Sequence, residues 1–185
     1  LIEKQRDSTV AQAKPIDSPK ESPADDGLVL RAPAAEDGYR VHDLIANCKP
    51  LDENSLYCNL LQCSDFQDTC AIAEKDGEVI GFLSGYCPPK KPDTFFVWQV
   101  AVSEKARGLG LARRMMLDIV SRHKDVKFIE ATITEDNEAS WALFRGTAKK
   151  LDTEFQSFPR FDRERHFNGR HDSEFAIKIG PFAVQ

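Results

Sequence analysis

One stretch constrains this chain more than any other: residues 94–112, TFFVWQVAVSEKARGLGLA. Its first half, Thr94–Val102, is β-branched or aromatic except at Gln99 and Ala101, the composition of a strand buried on both faces. Arg107, Gly108, Leu109, Gly110, Leu111 and Ala112 follow, and small residues there let backbone approach a ligand closely. Leu111, Met115 and Ile119, with Ala112, Met116 and Val120, then keep helical period for three turns. A helix start presents unpaired N–H groups and a partial positive charge, so this strand, turn and helix suit a pyrophosphate. A turn made only for tight packing would leave the same pattern.

Two familiar phosphate loops do not fit. The dinucleotide fingerprint G-x-G-x-x-G fails because Gly108-Leu109-Gly110 runs on into Arg113, with no βαβ unit and terminal acid behind it. The nucleotide P-loop needs Gly-Lys-Ser/Thr, which is absent. The 185 residues, 41% hydrophobic and 30% charged, suffice for one soluble domain with a sizeable core. A formal net charge of −5 argues against nucleic acid as partner and favours a cationic substrate. No apolar run is long enough to span a bilayer and no signal-peptide core is present, so a cytoplasmic protein is expected. Cys48, Cys58, Cys63, Cys70 and Cys87 form no C-x-x-C pair and lack clustered His partners; reduced thiols and no metal are expected.

Residues 1–27, rich in Lys, Asp, Ser, Pro and Ala, cannot bury enough apolar surface to order themselves and read as a disordered tail before one domain, 28–185. A short strand is expected at 28–30. A helix follows at 36–48 with a stripe through Tyr39, Val41, Leu44 and Ile45. Residues 52–55 open a second helix bearing Leu56, Leu60 and Leu61. Strands at 71–73 and 79–86 are joined by a hairpin turn at Lys75-Asp76-Gly77-Glu78. After the central strand and helix come a strand at 128–134, a helix at 137–149 and a last strand at 174–179. The order is β-α-α-β-β-β-α-β-α-β with a final strand or hairpin.

Arg107, Gly110 and Ala112 fall at the spacing Arg/Gln-x-x-Gly-x-Gly/Ala, which resembles the acyl-CoA-binding motif of the GNAT superfamily of N-acetyltransferases. The resemblance implies an α/β fold of α+β type, the GNAT fold: a mixed, mostly antiparallel sheet with splayed middle strands, flanked by helices. It also implies acetyl-CoA as co-substrate. Val100 and Val102 would pair with pantetheine, and the N–H groups of Gly108, Leu109, Gly110, Leu111 and Ala112 would hold the pyrophosphate. Arg107 and Arg113 would add charge-assisted hydrogen bonds, each about 1.5–3 kcal/mol. The run Asn137 to Phe144 looks like the family's second cofactor motif, Asn-x-x-Ala-x-x-Leu-Tyr. Asn137 would meet the cofactor arm, though a plain helix cap explains it equally well. Phe144 stands where many members carry a tyrosine that protonates the departing thiolate, so another group or solvent must supply that proton.

An amine acceptor must lose a proton before it attacks, which costs roughly 4–5 kcal/mol for a lysine-like amine at neutral pH. Carboxylates and a base are therefore needed. Residues 50–61 and 161–174 hold such groups densely, although Asp52 has the look of a helix cap and the second run that of a charged surface loop. Three motifs, P-L-D-x-N-S-x-Y, F-x-W-Q-V-A-V and H-F-x-G-x-H-D-x-E, resemble those of the L-2,4-diaminobutyrate acetyltransferases of ectoine biosynthesis, over residues 30–182. That resemblance implies acetyl transfer to the γ-amino group of diaminobutyrate, giving N4-acetyl-diaminobutyrate for osmoprotection, by a homodimer. It places Asp52, Tyr57, Trp98, His171 and Glu174 around the substrate. Glu174 or His171 is then the proton acceptor, Tyr57 the proton donor to the thiolate, Trp98 a pocket wall or an ordinary core residue, and a backbone N–H near Val100 the carbonyl polariser. Two alternatives stand beside it: a GNAT enzyme acting on another small amine or polyamine, and a non-catalytic acyl-CoA-binding module, which only Phe144 favours.

Overall fold

The computed structural model describes residues 27–183; all but the last residue of the expected tail lies outside them. Seven strands form one sheet: β1 (Leu28–Arg31), β2 (Ala71–Lys75), β3 (Glu78–Tyr86), β4 (Thr94–Val102), β5 (Phe128–Thr134), β6 (Phe155–Phe161) and β7 (Glu174–Ile179). Their order is β1-β2-β3-β4-β5-β7-β6, and every pair is antiparallel except β4 with β5. Five α-helices interleave: α1 (Gly38–Ala46), α2 (Leu56–Cys63), α3 (Leu111–Arg122), α4 (Glu138–Lys150) and α5 (Arg163–Phe167). A parallel pair needs a crossover, and α3 supplies it between β4 and β5.

The expected splay of the middle strands is present. β4 and β5 pair only through residues 94–96 and 128–130, and then part. β5 meanwhile stays paired along 129–134 with β7, so the gap opens beside the second half of β4. One sheet face packs under α3 and α4: Leu111, Met115, Met116, Ile119 and Phe144 meet Leu83, Phe95, Val97, Ile129 and Ile177. The opposite face, under α1 and α2, joins Val41, Leu44, Ile45 and Cys63 to Ile72, Phe82 and Ala101.

Three expectations need correction. Tyr39 was placed on the apolar stripe of α1, yet it is exposed; Val41, Leu44 and Ile45 alone make the contact. On α2, Leu56 is exposed and Leu60 and Leu61 are only half-buried, and the fully buried residues are Asn59, Gln62 and Cys63. Hydrogen bonds add to the apolar contacts of Cys63 and Leu60 there: Asn59 Nδ2 donates to Gln62 Oε1 (2.9 Å), and Gln62 Nε2 to Ser84 Oγ on β3 (3.4 Å). The C-terminal run holds an extra strand, β6, and the short helix α5, because β7 offers a free edge and Asp162 caps α5 at Glu164 and Arg165.

An ion network ties β1 to α1. The Asp37 carboxylate, 4% exposed, takes two hydrogen bonds from Arg31 (2.7 and 2.9 Å) and one from the Ala34 N–H (2.8 Å), with Arg40 at 3.1 Å. The Arg31 hydrogen bonds hold this carboxyl below its ordinary range, against the opposing effect of burial. A depressed folded-state value means the stabilisation is full above the ordinary aspartate pKa of about 4 and is lost as pH falls through the folded value. Asp37→Asn is expected to cost about 2 kcal/mol at neutral pH, less than a fully buried pair because both arginines keep water contact. Urea unfolding of the two proteins at neutral and acid pH checks this, with the difference narrowing in acid.

Candidate active site

The site begins with a register break. Gly85 lies opposite Val97, but Ser84 lies opposite Gln99, so Trp98 is the extra residue of a β-bulge. Val97 and Val100 both pack on the α3 side although they are three apart, which sends the two residues between them to the other face. Trp98 thus stands beside Gln99 instead of alternating with it. Trp98 is 50% exposed, which overturns the reading of it as an ordinary buried core residue. With Phe66, Tyr86 and Phe96 it lines an apolar pocket of about 350 Å³.

Beyond the bulge, the backbone of β4 faces the gap. The Ser103 N–H donates to the Ile80 carbonyl (2.9 Å), so alternate residues turn their polar groups to β3, and Val100 and Val102 turn theirs away from it. The Val102 carbonyl is already met by the Cys48 thiol at 3.4 Å, whereas the Val100 groups face the opening. The turn that follows is open to solvent. Gly108 (φ +80°) and Gly110 (φ +71°) hold left-handed backbone, and a Cβ on Gly108 would meet nothing within 4 Å, so packing does not explain it. Gly110 caps α3 without any side-chain hydrogen bond. Among the described residues, no backbone carbonyl receives the N–H of Gly108, Leu109, Gly110, Leu111 or Ala112. Leu111 is buried and anchors the helix, while Arg107 and Leu109 are exposed. Arg113 reaches along α4, where a Cβ on Gly146 would lie 3.2 Å from its Nη1. Asn137 is accounted for as a cap: its side chain accepts from the Ser140 N–H at 3.1 Å.

On the acceptor side, the cap of α2 is Ser55, whose hydroxyl accepts from the Cys58 N–H, so capping no longer accounts for Asp52. Asp52 is exposed on the loop before the helix, and its main-chain carbonyl accepts from Gln99 Nε2 at 2.8 Å. Tyr57, 69% exposed, stands on the outward face of α2. The C-terminal charged run is ordered by its own bonds. The Arg163 N–H donates to Ser173 Oγ (2.9 Å), and the Arg163 guanidinium binds Asp172. This sets His171 and Glu174 together at the start of β7. His171 Nδ1 lies 2.7 Å from the Asp172 carbonyl; a carbonyl only accepts, so Nδ1 carries a hydrogen and Nε2 is the ring nitrogen turned to Glu174. Nε2 is 3.8 Å from Glu174 Oε1, too far for a hydrogen bond, and Glu174 Oε2 is buried with no partner. The unpartnered carboxylate oxygen suits an added N–H donor such as an ammonium group.

No hydrogen bond or ion pair among the described residues joins Asp52 and Trp98 to His171 and Glu174. Stacked groups span the distance instead: the Arg160 guanidinium lies over Phe96 (5.5 Å) and Phe161 (5.0 Å), Phe161 meets Phe167, and Phe167 meets His171 (4.7 Å). Sequence reading passed over Arg160 and the pair Gln99–Asn54; the three-residue step from Val97 to Val100 is the signal that could have exposed the bulge. Phe144 is buried in the main core, a packing residue. Burial pushes the Cys63 and Cys70 thiols up to about 12, which removes them as nucleophiles. No cluster of metal-ligating side chains occurs among the described residues, and no helix there is long and apolar enough to cross a membrane.

Comparison with known proteins bears on the family and the fold. Residues 38–147 match the acetyltransferase (GNAT) family model. The L-2,4-diaminobutyric acid acetyltransferase of Methylotuvimicrobium alcaliphilum is 55% identical over 161 residues, covering 85% of this chain and 94% of the relative. The Halomonas elongata protein of that description is 45% identical over 158 residues, 84% of this chain and 82% of its own. Among solved structures, the Paenibacillus lautus diaminobutyrate acetyltransferase, in complex with L-2,4-diaminobutyric acid and coenzyme A, superposes with a TM-score of 0.79 at 38% identity, covering 85% of this chain and 97% of that one.

Proposed function

This chain belongs to the acetyltransferase (GNAT) family, and on that premise we propose that it transfers the acetyl group of acetyl-CoA to the γ-amino group of L-2,4-diaminobutyrate. The product is N4-acetyl-diaminobutyrate, a step of ectoine biosynthesis carried out in the cytoplasm. The observation that carries the reading is the buried, unpartnered Oε2 of Glu174, whose other oxygen lies 3.8 Å from His171 Nε2. An isolated carboxylate is costly to bury, so the site is completed by a cation.

Acetyl-CoA supplies the acetyl group as a thioester, held by the N–H groups of residues 108–112, with Arg107 and Arg113 beside them. Glu174 and Asp52 hold the two ammonium groups of the diamino acid. His171 Nε2, or Glu174 itself, takes the proton that frees the γ-amine to attack the thioester carbonyl. The Val100 N–H polarises that carbonyl, and Trp98 keeps water from it. The Tyr57 hydroxyl returns a proton to the departing sulfur in place of Phe144. No covalent enzyme intermediate is needed. The test is coenzyme A thiol release with diaminobutyrate, ornithine, lysine, putrescine and a short peptide, with product regiochemistry read by NMR. Preference for diaminobutyrate with acetylation at the γ-nitrogen supports the reading; preference for another amine refutes it.

The working form is a homodimer. Leu56, Tyr57, Phe66, Trp98, Phe158 and Phe161 are all exposed in the single chain, and a partner copy would take them out of water. A second copy would cover them and close the pocket over Tyr57. Sedimentation equilibrium should find a dimer at micromolar concentration, shifted toward monomer by Phe158→Glu.

A further inference from the structure

We infer that Gln99 and Asn54 are a positioning pair that holds the Asp52 loop over the acceptor pocket; the inference rests on the proposed role of Asp52 in binding an ammonium group. The Gln99 amide is used at both ends. Its Nε2 donates to the Asp52 carbonyl at 2.8 Å, and its Oε1 accepts from Asn54 Nδ2 at 2.8 Å. Turning the amide over would set oxygen against oxygen and nitrogen against nitrogen, so its orientation is determined by its partners. The partners are 47 and 45 residues away in sequence, so the contact is tertiary and has no local role in β4.

Three observations make the pair more than a surface contact. The bulge at Trp98 puts Gln99 on the same face as the pocket wall; with regular alternation after Val97, one of the two would have turned away. The helix cap is Ser55, which leaves the Asp52 side chain uncommitted while its main chain is tethered. The floor beneath is rigid: Ser84, opposite Gln99, receives Gln62, which is bonded through Asn59 to His42 (3.0 Å). Asn59, Gln62 and Ser84 are all buried, and directional bonds fix the rotation of α2 as leucine contacts would not. The loop is thus held between a bulged strand and a hydrogen-bonded helix.

The pair carries no charge, so its effect is on geometry: removing it lets the Asp52 carboxylate wander from its ammonium partner. Gln99→Leu is expected to raise KM for diaminobutyrate about tenfold while KM for acetyl-CoA and the melting temperature stay near wild type. Asn54→Ala, in the exposed loop, should act the same way, and it serves if the strand variant fails to fold. The double variant should be no worse than the stronger single one, because both break the same tether. Asp52→Asn is measured beside them. If Asp52→Asn raises KM for the amine and neither tether variant does, the positioning role is overturned while the acceptor reading survives. If Asp52→Asn has no effect, the role of Asp52 fails and the inference with it, whatever Gln99→Leu does. Equal rises in KM for both substrates would also overturn it, since that marks general disorder of the fold.

Discussion

Glu174→Gln should lower turnover with diaminobutyrate at least tenfold and leave acetyl-CoA binding intact. The change preserves shape and removes charge, so it isolates what the carboxylate contributes. A glutamine amide neither attracts an ammonium group as a carboxylate does nor accepts its proton, and deprotonating such an amine already costs roughly 4–5 kcal/mol at neutral pH. Glu174 Oε2 is buried without a hydrogen-bond partner, and the nearest ring nitrogen of His171 is 3.8 Å from the other oxygen, so no hydrogen bond within the chain satisfies Oε2. Steady-state thiol release gives turnover and calorimetry gives acetyl-CoA affinity. Unchanged turnover removes Glu174 from the site. Loss of acetyl-CoA affinity alongside turnover would mean that the residue supports the fold of β7.

The second large effect is expected at the pyrophosphate turn. Gly110→Val should raise KM for acetyl-CoA at least tenfold. Gly110 holds φ +71° at the head of α3, a backbone region that costs a β-branched residue about 1–3 kcal/mol. The chain relieves that strain by turning the peptide, which swings N–H groups of residues 108–112 off a common point. A Cβ here also lies 3.9 Å from the Arg113 guanidinium, so the added methyl groups crowd that side chain. Binding of acetyl-CoA followed by calorimetry, with a thermal melt as control, separates the local effect from unfolding. Wild-type affinity in a folded variant would detach this turn from acetyl-CoA.

Much of the fold could be read from contiguous residues. The bounds of β4 and β5 and the helical stripe of α3 follow from period and composition. So does the hairpin at Asp76-Gly77, where both residues take positive φ. The α2 helix could not be read this way. Its leucines repeat at helical spacing, yet its fully buried positions are Asn59, Gln62 and Cys63, and Gln62 meets Ser84 on β3. The bounds of β6 could not be read for a related reason: its exposed, mixed residues pair with the edge that β7 presents.

The candidate site divides along the same line. Gly108, Gly110 and Arg107 announce themselves, since a turn and the helix behind it are close in sequence. The five acceptor residues were named from motifs, but their geometry came from elsewhere in the chain. His171 is oriented by the Asp172 carbonyl and held by Arg163, Asp52 is tethered by Gln99, and Trp98 is turned outward by a bulge opposite Gly85. By itself, then, the sequence determined most of the strands, turns and helices and where left-handed glycines open a helix, because period, backbone conformation and helix-end charge are properties of neighbours along the chain. Only the tertiary structure decided which way Trp98 faces, what frees Asp52 from capping and why one oxygen of Glu174 is left without a partner. Those depend on groups tens of residues apart, whose hydrogen bonds and register exist only once the sheet has closed around them.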